Sequence, residues 1–80
     1  MTRVNVLYFA SLRDAARMAG ETVETGATDL AALYAELKLR HAFALPREHL
    51  RVAVDGAFAR WEDVPGADSE IAFIPPVSGG

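Results

Sequence analysis

Glu70-Ile71-Ala72-Phe73-Ile74-Pro75-Pro76-Val77-Ser78-Gly79-Gly80 is the stretch from which the rest of the chain is best read. Its first five residues form a mostly apolar run that reads as a strand. Pro75 and Pro76 remove two backbone donors and hold φ near about −65°, so the strand stops at Ile74 and the chain leaves the sheet as a stiff, extended arm. Gly79 and Gly80 lack a Cβ, which lets the end of the arm pass through a narrow channel and bring its α-carboxylate close to another backbone. A glycine-rich chain end is most often a frayed terminus. A glycine pair that directly follows a buried-looking strand and Pro-Pro reads instead as a presented carboxyl group.

The totals limit what surrounds this arm. Eighty residues are enough for one small domain, with residues 1–74 as its body and 75–80 as its tail. The chain is 51% hydrophobic and 24% charged, which excludes disorder as an organising principle. A net charge of −3 argues against a phosphate-backbone footprint, so no nucleic acid is expected. No apolar run reaches the length of a membrane span, and the N-terminal apolar stretch is too short and strand-like for a signal peptide. A cytoplasmic location is the expectation. With no cysteine, disulfides, thiolate metal sites and thiol nucleophiles are all excluded, and any sulfur carried here cannot ride on a side-chain thiol.

Working back from the arm, the chain alternates between strand and helix signals. Residues 3–10 are rich in β-branched and aromatic side chains and read as a first strand. Val4 and Val6 then face the core, leaving Leu7 and Phe9 as candidates for an apolar outer patch. Ser11 is placed to cap a short helix over 12–19 that Gly20 ends, and residues 21–25 suit a short edge strand. Thr28 is placed to cap a longer helix over 28–40, whose Leu30, Leu33, Tyr34 and Leu37 make one apolar stripe. Pro46 to His49 suggests a single turn. Asp55-Gly56 joins two short strands, 51–54 and 57–59, as a hairpin. The economical fold is one sheet with the long helix on one face, and with the first and last strands side by side at its centre.

Three segments together resemble the small subunit of molybdopterin synthase, the MoaD type of the ubiquitin-like β-grasp family. They are Val4-Asn5-Val6-Leu7-Tyr8-Phe9-Ala10 with Leu12-Arg13, then Val52-Ala53-Val54-Asp55-Gly56, and the closing segment quoted first. The last is the most specific. Two departures are local: Asp55 stands where the family usually has Asn, and Ala67-Asp68-Ser69-Glu70 where it has Gly-Asp-Glu. The resemblance implies an α+β, ubiquitin-like β-grasp domain: a mixed sheet of about five strands, one main helix packed on one face, and a flexible C-terminal tail. It also implies a sulfur carrier for molybdenum cofactor biosynthesis. Gly80 would be adenylated by an E1-like activating enzyme of the MoeB type that uses ATP. A sulfur donor would convert it to a thiocarboxylate, which donates sulfur to cyclic pyranopterin monophosphate in the large synthase subunit, the MoaE type. The expected assembly is a heterotetramer in which this chain is the sulfur-donating subunit of the enzyme and the main catalytic pocket lies on the large subunit.

Pro75, Pro76, Val77, Ser78 and Gly79 are then the tail inserted into the partner, with Gly80 as the reacting residue. Phe9, Phe58 and Ile74 are the candidate interface patch at its base. Ordinary core packing is an equal alternative for each of the three. Related alternatives for the whole chain are a thiamine-type (ThiS-like) or other ubiquitin-like sulfur carrier, and a β-grasp interaction module whose carboxylate is never activated. Other features point to less chemistry. His41 and His49 read as solvated loop residues without a third ligand, so no metal is expected. Ser78 has no base or nucleophile-elbow context. Asp63, Asp68 and Glu70 read as a solvated acidic loop, and Arg13, Arg17 and Lys38 are ambiguous. No phosphate-cradling loop is present, so the chain is expected to bind no cofactor of its own and to leave ATP to its partner.

Overall fold

The computed structural model describes residues 1–76; the expected roles of Val77, Ser78, Gly79 and Gly80 lie outside the described residues. The elements run β1 (Thr2–Tyr8), α1 (Ala10–Ala16), β2 (Gly20–Thr25), α2 (Leu30–His41), a 3-10 turn (Arg47–His49), β3 (Arg51–Val54), β4 (Ala57–Phe58) and β5 (Glu70–Ile74). They form a five-stranded mixed sheet in the order β2-β1-β5-β3-β4. The parallel pair is β1 with β5, in the register Val6 to Ile71 and Tyr8 to Phe73; the other pairings are antiparallel. The first and last strands thus sit together at the centre, and β2 lies at an edge.

Alternation along the strands decides which face is covered. Val4, Val6 and Tyr8 of β1, Val23 of β2, Val52 of β3 and Ile71 and Phe73 of β5 are all buried. Against them pack Leu30, Leu33, Tyr34 and Leu37 of α2, with Leu12 and Ala16 of α1 and Phe43 and Leu50 from the connections. Each fully buried side chain of this kind contributes about 1.5–3 kcal/mol, so the α2 stripe and the sheet face it covers are the main source of stability. Tyr34 joins Phe43, Trp61 and Phe73 in an aromatic cluster, and its hydroxyl donates to the Leu45 carbonyl at 2.6 Å. Thr25 is buried but satisfied: its hydroxyl donates to Glu36 and accepts from the Ala27 N–H.

Helix ends differ from the sequence expectation at three places. α1 starts at Ala10 rather than after Ser11, with Phe9 at the N-cap and no side-chain cap. It ends at Arg17, which takes the left-handed conformation (φ 62°) and returns its N–H to the Arg13 carbonyl. Gly20 is therefore not a helix terminator. It opens β2 opposite Leu7, where a Cβ would lie 2.6 Å from the Val6 carbonyl oxygen, so its missing side chain serves strand approach. α2 is capped by Asp29 instead of Thr28; the Asp29 carboxylate accepts from the Ala32 N–H at 2.8 Å. Leu30 and Ala31 donate to the carbonyls of Asp63 and Trp61, so the loop before β5 closes the remaining open donors of the first turn.

The hairpin turn follows the sequence reading. Asp55 and Gly56 both have positive φ, 50° and 87°, as a two-residue turn between twisted strands requires. Asp55 does a second job: its carboxylate accepts from the Glu70 N–H, and its own N–H donates to the Glu70 carbonyl.

Candidate functional site

The face of the sheet opposite α2 carries the site. Cross-strand register sets Leu7, Ala72, Ala53 and Phe58 in one row across β1, β5, β3 and β4. The two central positions are alanines and the outer ones are bulky. The result is a shallow trough of about 270 Å³, floored by Ala53 and Ala72 and walled by Leu7, Phe9, Phe58 and Ile74. Phe58 is 68% exposed and Phe9 44% exposed. Large aromatics held open to solvent beside an alanine floor form a surface suited to receiving another protein's apolar side chains. Phe9, Phe58 and Ile74, named together from the sequence as a candidate patch, line one depression. Ala53 and Ala72 were missed. Ala72 alternates with the buried Ile71 and Phe73 along β5, but Ala53 is buried like Val52 beside it, so local pattern alone does not mark the row.

β5 ends at Ile74, paired with Arg51 of β3. Pro75 is buried and Pro76 exposed, so the chain passes from the interior to the surface within one residue. This point, the tail root, stands at the rim of the trough, since Ile74 lines it. Geometrically, an apolar depression lies beside the point where the chain leaves a central strand.

Several of the remaining candidates have structural partners. Among the described residues there is no group of three or more His, Asp or Glu placed to hold a metal ion. His41 is not a solvated loop residue. It closes α2, its side chain is 12% exposed, and its Nε2 lies 2.6 Å from Glu21 Oε2. Its ring also meets Tyr8 and Phe43 edgewise or tilted. Tyr8 donates its hydroxyl to the same Glu21 oxygen, and Arg40 stands 3.7 Å from the other. Burial, reinforced by the hydrogen bond to Glu21 and by its charge, pushes the Tyr8 hydroxyl far above its usual range. Burial also acts to raise Glu21, but the bonds from Tyr8 and His41 and the charges of His41 and Arg40 outweigh it and hold the carboxyl below its ordinary value. This cluster ties β1, β2 and the end of α2 together. The acidic residues near β5 are likewise engaged through the backbone: Asp63 accepts from the Arg60 N–H, and Asp68 donates its N–H to the Arg3 carbonyl. Among the described residues, no helix is long and apolar enough to cross a membrane.

Comparison with known proteins gives consistent matches over nearly the full length. The ThiS family model matches residues 6–80. The molybdopterin synthase sulfur carrier subunit of Mycobacterium tuberculosis is 36% identical over 85 aligned positions that take in all of both chains. Among solved structures, SAMP1 from Haloferax volcanii superposes with a TM-score of 0.81 at 25% identity, covering 98% of this chain and 99% of that one. Subunit 1 in the complex of subunits 1 and 2 of the molybdopterin-converting factor from Helicobacter pylori shares the fold, with a TM-score of 0.68, 20% identity and coverage of 99% and 100%. The ubiquitin-like β-grasp architecture inferred from the sequence is the one observed. The family model over residues 6–80 and the full-length relative agree, and the chain belongs to the ThiS family.

Proposed function

We propose that this chain is the sulfur carrier subunit of a molybdopterin synthase and that the Gly80 carboxylate is the group that carries the sulfur. The observation that carries the reading is the full-length similarity to a molybdopterin synthase sulfur carrier subunit, in a chain whose tail root sits beside an exposed aromatic trough. A carboxylate is a poor electrophile. Attack of its oxygen on the α-phosphorus of ATP, in the site of an E1-like adenylating enzyme, releases pyrophosphate and leaves an acyl-adenylate. A sulfur donor then displaces AMP to give the thiocarboxylate. In the large subunit, the thiocarboxylate sulfur attacks a side-chain carbon of cyclic pyranopterin monophosphate and displaces the oxygen substituent that carbon bears, so a C–S bond forms as a C–O bond breaks. Hydrolysis of the resulting acyl–sulfur bond leaves sulfur on the pterin and restores the carboxylate for another cycle. Two transfers build the dithiolene, so the chain acts as a rechargeable co-substrate. Because ATP drives the cycle, we place it in the cytoplasm.

The residues have distinct parts in this scheme. Pro75 and Pro76 lower the entropy lost when the tail enters a partner, and Val77, Ser78 and Gly79 fill the channel behind Gly80. Phe9, Phe58 and Ile74 seat the domain on the large subunit. An assembly of two small and two large subunits, with the small ones outermost, fits a carrier that must leave to be recharged. The H. pylori relative occurs in a complex of subunit 1 with subunit 2, which favours this partnership. Ser78 and the two histidines take no chemical part.

The test is intact-mass measurement after incubation with the activating enzyme, ATP and a sulfur donor. One oxygen replaced by sulfur at Gly80 is expected, followed by reversal when the large subunit and pterin substrate are added. A tail that stays unmodified under conditions that charge a control carrier refutes the reading. Charging without transfer to the pterin refutes the molybdopterin assignment and leaves a thiamine-type or other ubiquitin-like sulfur carrier. Gly80→Ala should fold normally yet fall in transfer by about tenfold or more, because the added methyl must be accommodated in a channel shaped for glycine.

A further inference from the structure

A second depression, of about 410 Å³, opens on the other side of the tail root, lined in part by His49, Leu50, Arg51, Phe58, Ile74 and Pro76. It shares Phe58 and Ile74 with the trough, so the two form one continuous surface around the root. Arg51 is exposed, and its guanidinium carbon lies 5.1 Å from the centre of the Phe58 ring. Arg3, Arg40 and Arg60 each face a carboxylate, whereas among the described residues none lies within ion-pair distance of Arg51. Glu48 lines the same depression without pairing with it. An uncompensated cation thus stands beside the tail root of a chain whose net charge is −3.

We propose that Arg51 is a specificity-determining residue of the docking surface, matched by a carboxylate on the partner that is flanked by an apolar side chain entering the Leu50–Ile74 depression. The inference rests on the reading that the chain docks on a large synthase subunit. A partner that covers the trough covers Phe58, and with it the guanidinium stacked on that ring. Covering a cation strips its water, which opposes binding unless an anion replaces that water. Stacking on Phe58 has already restricted the long Arg51 side chain, so little further ordering is lost when a carboxylate arrives. A planar guanidinium also accepts a carboxylate through two parallel N–H donors, which selects among partners by geometry as well as by charge. An apolar trough alone accepts many surfaces; a fixed cation at its edge rejects basic ones.

Isothermal titration of the cognate large subunit with the full chain, at low and moderate salt, tests this. Arg51→Glu is expected to weaken binding by about thirtyfold or more, and Arg51→Gln by about tenfold with a shallower salt dependence than wild type. Glu48→Gln should bind as tightly as wild type or tighter. Arg51 is exposed, so thermal melts of all variants should match wild type. Equal affinity and equal salt dependence for wild type and Arg51→Glu overturn the proposal while leaving the docking reading intact. Failure of wild type itself to bind overturns both.

Discussion

Glu21→Gln isolates the cluster that joins β1, β2 and the end of α2. In the wild type the carboxylate receives the Tyr8 hydroxyl at 2.5 Å and lies 2.6 Å from His41 Nε2. A hydrogen bond to a charged group contributes about 1.5–3 kcal/mol, against about 1 kcal/mol for a neutral one. Gln keeps the shape and one acceptor oxygen but loses the charge, and the half-exposed Arg40 contact adds only about 0–1 kcal/mol. The expected cost at neutral pH is therefore about 1–2 kcal/mol, which for a domain of this size lowers Tm by roughly 4–15 °C. The pH profile separates a charge effect from a packing effect. Glu21 titrates below its ordinary value of 4.5 in the folded chain. Its extra stabilisation is thus fully present above the unfolded value and is lost as pH falls through the folded one. Urea unfolding followed by circular dichroism, from neutral to acid pH, should show wild type losing its advantage below about pH 4.5 until the two curves converge. A constant offset at every pH, or no difference at neutral pH, refutes the assignment of Glu21 as the charged hub.

Three further outcomes follow from particular contacts. Gly20→Ala places a methyl against the Val6 carbonyl and should destabilise by about 1–3 kcal/mol in a thermal melt, since backbone must move to admit it. Asp29→Ala removes the acceptor for the Ala32 N–H and should cost about 0.5–2 kcal/mol, with Asp29→Asn recovering most of it. Phe58→Asp should leave Tm within a few degrees, because the ring is 68% exposed, yet weaken binding to the large subunit by about thirtyfold or more. Loss of folding in place of binding shows that Phe58 is core.

What was legible in the sequence is what local pattern controls. Val4, Val6 and Tyr8 alternate, Leu30, Leu33, Tyr34 and Leu37 recur at helical spacing, and Asp55-Gly56 has its own turn conformation, so each element declared itself. The central, side-by-side placement of β1 and β5 followed from the apolar content of both runs, and the structure adds that the pair is parallel. What stayed hidden depends on partners far along the chain. Gly20 reads as a helix terminator until Val6 is seen across from it, and Arg17 gave no sign that it would take the left-handed turn. Thr28 and Asp29 are both good caps, and the loop carbonyls of Trp61 and Asp63 accompany the helix start at Leu30. His41 looked solvated because Glu21, its partner, is twenty residues earlier. The alanine floor was missed because small residues draw attention only when their bulky neighbours across the sheet are known.

The central pairing of β1 with β5 also orders events during synthesis. β1 is made first, but its partner on one side is made last, so the middle of the sheet stays open until nearly the whole chain has left the ribosome. The residues that complete the core, Ile71 and Phe73, immediately precede the tail root at Pro75. A product that stops before residue 70 lacks the closing strand and the tail root together. Closure of the sheet and placement of the tail root therefore depend on the same five residues of β5.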